Sequence, residues 1–539
     1  MANTKKWIFY AAAALLALPT AAQVTDRERP ADWANLVKGG RYMDRFRPMP
    51  KGKLSADVWG ARDVIPRYVD NGIELPGISF WGGNVLKGKD GTYNLFVCGW
   101  PESAPKGHME WPNSTVYRAQ SKNLYGPYTL CDTIGKGHNP EAFMLDDGRI
   151  VVYVIGAYYI ADSMEGPWEQ RQFTFNTRGR RIIEGLSNLT FARRQDGSRL
   201  MVCRGGGVWI SRSGVSPYEQ ITEQRIYPPV EGEFEDPVVW KDSLQYHLIV
   251  NDWKGRIAFY ERSLDGVHWV TEQGEAYVPG ISRHKDGRVE KWYKYERAKV
   301  YQDERGRPQS MNFAVIDTIK WNDLGNDNHS SKNIFIPLTK DMLADVLNTQ
   351  PIDAATRTIE VRIRGEKGFS PAKELDVASL RIGSYTEVNF GRGSKPVSWK
   401  KSGKDLLVTF DGTGSGITPT EFAPKIIGKN KRGELAIGYA RLPYVNYTPP
   451  VLSALCPVYD EGSQVWNMEI QNFGLSASEE ARVTLTYDDT KVAETTVRPL
   501  KPYEKTVLSF KAGQTALKND GKTVVTIRYD ERRESQNRF

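Results

Sequence analysis

Acidic residues recur in this chain at places where they can do proton-transfer chemistry. Asp70 and Glu74 stand in Asp70-Asn71-Gly72-Ile73-Glu74, Glu141 in Gly137-His138-Asn139-Pro140-Glu141, and Glu184 in Glu184-Gly185-Leu186. Glu235 and Asp236 stand in Phe234-Glu235-Asp236-Pro237, and Glu296 in Tyr295-Glu296-Arg297. Each group lies just ahead of an apolar, strand-like run. Cleaving a glycosidic bond takes two carboxyl groups, one protonating the leaving oxygen and one acting as base or nucleophile, roughly 5–5.5 Å apart for retention and 6.5–9.5 Å for inversion. A third acid nearby raises the general acid's pKa by like-charge repulsion. The competing reading is structural, with these acids capping turns or pairing with Arg204 and Arg297.

Other side chains could complete such a site. Trp81, Trp100 and Trp111 could form a platform for sugar faces, although Trp in a β-rich protein is often core. His138 and His247 are candidate acids or hydrogen-bonding groups, and His108 and His329 lie in irregular, polar segments. Arg204 and Arg297, with Arg62 and Arg67, could grip a sulfate or uronate bidentately. Gly205-Gly206-Gly207 lacks the helix and spacing of a phosphate loop. Carboxylate and carbonyl oxygens crowding one funnel leave room for a Ca²⁺ ion there. No loop spells out a metal site and no other cofactor is expected.

The elements that would position these residues follow from an internal repeat. An apolar strand, an Asp-Gly turn, a second apolar strand and a small-residue strand close on Gly-Pro-aromatic. The turns are Asp90-Gly91, Asp147-Gly148 and Asp196-Gly197, and the closures are Gly126-Pro127-Tyr128, Gly166-Pro167-Trp168 and Ser216-Pro217-Tyr218. A worn fourth copy has Asp242-Ser243 and Gly266-Val267-His268-Trp269, and a fifth begins at Val300-Tyr301. Asp-Gly between alternating apolar runs is a strong hairpin signal. Radially arranged four-stranded blades protect their edges and leave a central funnel. The expected fold is therefore all-β, a five-bladed propeller over 55–340 followed by two β-sandwiches. The first sandwich is placed at 341–448, opening with a short helical connector at 341–352. The second, immunoglobulin-like, is placed at 449–539.

The bulk numbers fit an exported protein. Lys5 and Lys6 precede the apolar run Trp7 to Leu18 and the small-residue stretch Pro19-Thr20-Ala21-Ala22. That reads as a signal peptide over 1–22, cleaved near Ala22, with an extension over 23–54 and a secreted or periplasmic destination. The run falls short of the ~20 apolar residues a membrane span requires. Four cysteines in 539 residues are too few for a disulfide scaffold. The net charge of +8 is mild and scattered, which suits an anionic glycan better than nucleic acid.

The Asp-Gly hairpins, the Gly-Pro-Tyr/Trp closures and Asn-Pro or Asp-Pro at blade starts resemble the five-bladed enzymes of glycoside hydrolase families 43 and 117. The resemblance covers about residues 55–340. It implies a base from blade one, a carboxylate modulator from blade two and a general acid from blade three. By position these are Glu74 or Asp70, Glu141 and Glu184. The Ala-Asp-Pro usual at blade one is absent, and Trp81-Gly82-Gly83-Asn84 stands nearby. The most acidic blade start is instead Glu235-Asp236. A family 117 variant with His as acid adds His138 and His247.

The expectation is thus a secreted glycoside hydrolase, exo-acting on an acidic or sulfated fragment of a plant or algal polysaccharide. Its catalytic candidates are Glu74, Glu141, Glu184, Glu235 and Asp236. The substrate-binding candidates are Asp70, Trp81, Trp111, His138, Arg204, His247, Glu296 and Arg297. Two rivals stand beside it, a uronate lyase on the same fold and a non-catalytic glycan-binding protein.

Overall fold

The computed structural model describes residues 24–58, 62–222, 224–529 and 534–539, so the expected signal peptide lies outside the described residues. Runs rich in β-branched and aromatic residues, punctuated by Asp-Gly, form hairpins here. Gly91, Gly148 and Gly197 occupy the left-handed region at φ 82°, 91° and 87°, where a side chain would be strained.

Five blade sheets follow one another along the first two-thirds of the chain, preceded by a two-stranded ribbon of Leu54–Ser55 and Arg67–Tyr68. Blade one is Ile78–Lys87, Tyr93–Pro101, Thr115–Ser121 and Thr129–Lys136, paired in that order. Blade two is Glu141–Met144, Ile150–Val154, Ala157–Ala161 and Glu169–Arg171. Blade three is Thr190–Arg193, Arg199–Val202, Val208–Ser211 and Tyr218–Thr222, with Phe175–Asn176 added in parallel at its outer edge. Blade four is Phe234–Lys241, Tyr246–Asp252, Ile257–Ser263 and Val270–Thr271. Blade five is Lys294–Gln302, Pro308–Ile316 and Ser331–Pro337, and Phe46 of the N-terminal segment forms a bridge to Leu338 just past its last strand.

The blades close into a ring. The inner strand of blade one touches those of blades two and five, and the inner strand of blade four touches those of blades three and five. Apolar side chains fill every seam. Trp81, Phe96 and Val152 meet between blades one and two, Phe143, Tyr153 and Phe191 between two and three. Leu200, Phe234 and Leu248 meet between three and four, Trp240, Ile249 and Met311 between four and five. Phe80, Leu95 and Phe335 close the ring between five and one. Each fully buried apolar side chain contributes about 1.5–3 kcal/mol, so the seams hold the propeller together.

Two β-units follow. A seven-stranded sheet runs Leu375–Gly383, Lys425–Asn430, Leu435–Arg441, Met342–Val346, Thr358–Ile363, Asp405–Asp411, Pro396–Ser402. Its edge strands touch, and one core of Val361, Ile382, Phe410 and Ile426 fills the fold. The helical connector expected at 341–352 is not helical: Met342–Val346 alternates buried and half-buried residues and pairs within this sheet. The last unit packs two four-stranded sheets around Trp466, Ile470, Val483 and Ile527. Both units dock on the propeller through buried cations. Arg262 of blade four pairs with Glu272, which also holds Lys425, and Arg180 donates to the Ala454 carbonyl. All four cysteines are free thiols. No helix among the described residues is long and apolar enough to cross a membrane.

Candidate active site

A shared backbone device sets the site. Gly82, Asn139, Asn188, Asp236 and Arg297 sit at corresponding positions at the start of the five inner strands, all in the left-handed region, at φ 62°, 55°, 49°, 55° and 48°. In blades one, four and five the ladder register shifts at this point, between Trp81 and Asn84, Glu235 and Val238, and Glu296 and Lys299. Such bulges re-aim side chains next to functional sites. Gly, Asn and Asp tolerate this conformation, whereas Arg297 is held there by its surroundings.

The residue before each left-handed position faces the axis. Trp81, His138, Ser187, Glu235 and Glu296 therefore converge, one per blade, on a cavity of about 360 Å³. Its wall also carries Trp111, Arg204, Trp253, Lys294 and Lys320. Exposed Met109 and Trp321 stand at its edge. Its floor is a closed polar circuit. Asn139 donates to Asn188 at 3.0 Å, Asn188 to Asp236 at 3.0 Å, and Arg297 to Asp236 at 2.9 Å and the Asn139 carbonyl at 3.4 Å.

The two axial carboxylates have different surroundings. Burial and then the adjacent Asp236 push the Glu235 carboxyl above its ordinary value, with Lys320 and, less strongly, Arg204 at 3.4 Å as partial counterweights. Asn188 Nδ2 donates to Glu235 at 3.1 Å. Glu296 is flanked by two ammonium groups, Lys294 at 3.4 Å and Lys320 in contact with its Oε2. Burial also works against charge on Asp236, but Arg297 and Lys320 outweigh it and hold that carboxyl below the usual range. Burial, reinforced by Arg297 and Lys320, pushes His138 down to about 3, and burial drives His108 well below its ordinary value, so both imidazoles are neutral. His138 Nδ1 is 2.9 Å from Ser114 Oγ. Lys320 lies 5.3 Å over the Trp81 ring.

The structure brings together Glu235, Asp236, Glu296, Arg297, Arg204, His138, Trp81 and Trp111 of the sequence candidates. It sends the others elsewhere. Glu141 comes three residues after His138, beyond the left-handed turn, and faces the opposite end of the axis. There it accepts from Phe191 N–H at 2.9 Å and contacts Lys299. Glu184 is an exposed residue paired with Arg225, three positions ahead of the axial Ser187. Glu74 is tied to Arg67 at 3.1 Å and Lys332 at 2.7 Å, off the cavity. Asp70 accepts from the Lys53 N–H. His247 is buried in blade four, stacked on Trp240 and held by Tyr260 at 2.6 Å and Asp242 at 3.1 Å. The expectation of one acid per blade in a common register is thus corrected: only blades four and five place a carboxylate at the axial position.

Lys294, Lys320, Trp253 and Trp321 were missed, because nothing local distinguishes them from other cations and aromatics. The axial register itself left a trace in the sequence. Gly82, Asn139, Asn188 and Asp236 are residue types that favour a left-handed backbone, and they precede matching strands.

Residues 451–536, the last β-unit, match the CARDB family model. No curated protein matches the chain. Among solved structures the chain is similar to a family 117 glycoside hydrolase of the marine bacterium Zobellia galactanivorans, at 10% identity over 48% of this chain and 84% of that one, TM-score 0.37. It is also similar to an α-L-arabinofuranosidase from Lactobacillus brevis, at 13% identity over 48% and 90%, TM-score 0.34. A family 43 arabinoxylan arabinofuranohydrolase from Bacillus subtilis matches at 9% identity over 86% and 95%, TM-score 0.35. At that distance the likeness carries no inference about chemistry.

Proposed function

We propose that this chain is a glycoside hydrolase whose reaction takes place in the axial cavity. The observation that carries the reading is the placement of Glu235 and Glu296 on adjacent blades in one aromatic-walled cavity, Glu235 next to the carboxylate of Asp236 and Glu296 between two lysines. A carboxyl pushed toward its protonated form can donate to a leaving glycosidic oxygen. Glu296, held between Lys294 and Lys320, is placed to activate water or attack the sugar carbon. Asp236 touches neither step. Its negative charge keeps Glu235 protonated to higher pH, and Arg297 keeps Asp236 in place.

The cavity also bears on the substrate. A closed floor admits a chain end rather than a threaded chain, in keeping with exo-action. Trp111 and Trp321 offer rings for sugar faces. Four cations against three carboxylates line the wall, which favours an acidic or sulfated saccharide, of plant or algal origin in this reading. The charged leader ahead of an apolar run supports action outside the cytoplasm.

One observation favours a second reading. The four cations lining the cavity could neutralise a uronate carboxylate, which a lyase requires before a base removes the neighbouring proton and the 4-linked oxygen departs. The deciding experiment incubates the purified chain with neutral, uronate-containing and sulfated oligosaccharides and follows products by chromatography and ultraviolet absorbance. A saturated sugar released from chain ends supports the hydrolase. An absorbing, unsaturated product replaces it with the lyase, and saturable binding without any product replaces both with a recognition protein.

A further inference from the structure

Outside the cavity, three acids from distant parts of the chain meet. Glu102 follows the blade-one strand Tyr93–Pro101, while Asp323 and Asp327 lie in the loop before the last blade-five strand. Each presents a carboxylate oxygen, and these oxygens lie within 4.8 Å of one another. Glu102 and Asp323 are only 3% and 2% exposed. Glu102 Oε1 and Asp323 Oδ2 are buried without a hydrogen-bond partner. Glu102 Oε2 and both Asp327 oxygens are engaged: Ser79 donates to Glu102 Oε2, Ser330 donates to it at 2.6 Å, and Asp327 accepts the N–H groups of Leu324 at 2.9 Å and His329 at 2.7 Å. Leaving buried carboxylate oxygens unpaired is costly, and coordinating a cation relieves that cost.

We propose that Glu102, Asp323 and Asp327 form a Ca²⁺ site that fastens the two loops flanking the cavity. An all-oxygen, carboxylate-rich set selects a hard cation over zinc. Ca²⁺ accepts 6–8 oxygens in flexible geometry, so three carboxylates from two loops plus water suffice, whereas Mg²⁺ demands a near-octahedral arrangement. Asp323 directly follows the turn Lys320–Asn322, which brings Lys320 and Trp321 to the cavity. Glu102 leads into the segment that supplies His108, Met109 and Trp111. The two loops already touch closely: a Cβ on Gly107 would lie 1.9 Å from the Asp323 carbonyl oxygen. The ion adds a charged tie to that contact, independent of what the cavity binds.

The test uses the whole chain, stripped with a chelator and titrated with CaCl₂ by calorimetry and by thermal unfolding. One saturable site and a rise in Tm are expected, with Asp323→Asn and Glu102→Gln at least about tenfold weaker because affinity tracks ligand charge. Glu461→Gln, an exposed acid in the last unit, should match the parent. Should the buried variants fail to fold, Asp327→Asn, at the half-buried member, makes the same comparison. No saturable binding by the parent at about 10 mM, well above the weak end of Ca²⁺ sites, overturns the proposal. So does undiminished binding by the ligand variants. Neither readout uses a sugar, so the outcome is separate from that of the hydrolase test.

Discussion

Asp236 and Arg297, from adjacent blades, hold each other twice: Asp236 Oδ1 accepts the Arg297 guanidinium at 2.9 Å and its Oδ2 accepts the Arg297 backbone N–H at 3.1 Å. Both residues have left-handed backbones and both are almost fully buried. The pair therefore fixes two inner strands at the point where each turns a glutamate, Glu235 or Glu296, toward the axis.

Breaking this pair should damage the fold before it damages the chemistry. Asp236→Ala leaves a buried guanidinium without its carboxylate, which typically costs about 3–5 kcal/mol. Chemical denaturation should show that loss. A loss below about 1 kcal/mol would mean that water or a rearranged Asn188 satisfies Arg297.

The axial glutamates should separate from the other acids in kinetics. Glu235→Gln and Glu296→Gln are each expected to lower kcat by about 10²–10⁴, the usual contribution of a positioned acid or base. Glu184→Gln, exposed and paired only with Arg225, should leave kcat within twofold, a factor of about 0.4 kcal/mol. Initial rates on whichever oligosaccharide is cleaved, with circular dichroism to confirm folding, check this. Equal rates for Glu235→Gln and the parent would remove Glu235 from the acid role.

The alkaline limb of the pH profile should report Glu235. Activity that needs this carboxyl protonated falls as pH rises through its raised pKa. Arg204, 3.4 Å away, favours the ionised form, so Arg204→Met should raise that pKa further and move the limb to higher pH. A limb that stays in place, or moves down, would assign it to another group.

Glu74 should prove structural. It is the carboxylate partner of Arg67 and of the fully buried Lys332, whose pKa burial depresses despite that partner. Glu74→Ala is expected to lower stability by about 3–5 kcal/mol while kcat of the surviving folded fraction is unchanged. Thermal unfolding beside active-fraction kinetics distinguishes this from a catalytic role.

The architecture was legible because it is written in local signals. Asp90-Gly91, Asp147-Gly148 and Asp196-Gly197 need a left-handed turn, and the alternating runs beside them need a buried face, so hairpins at a blade-like period follow from short stretches of chain. Met342–Val346 was misread because five alternating residues pair with Leu435–Arg441, a strand nearly a hundred positions away that no local window contains.

The amino-acid sequence by itself determined the five blades, the β-units after them, and which blade starts carry acids. Only the tertiary structure decided which acids meet. A left-handed residue at the head of each inner strand turns the preceding side chain inward. A slip of three positions is therefore enough to send Glu141 to Lys299 and Glu184 to Arg225 while Glu235 and Glu296 share a cavity. Glu102 and Asp323 meet for a related reason: ring closure places blades one and five side by side, a consequence of five seams packing at once rather than of any local spacing.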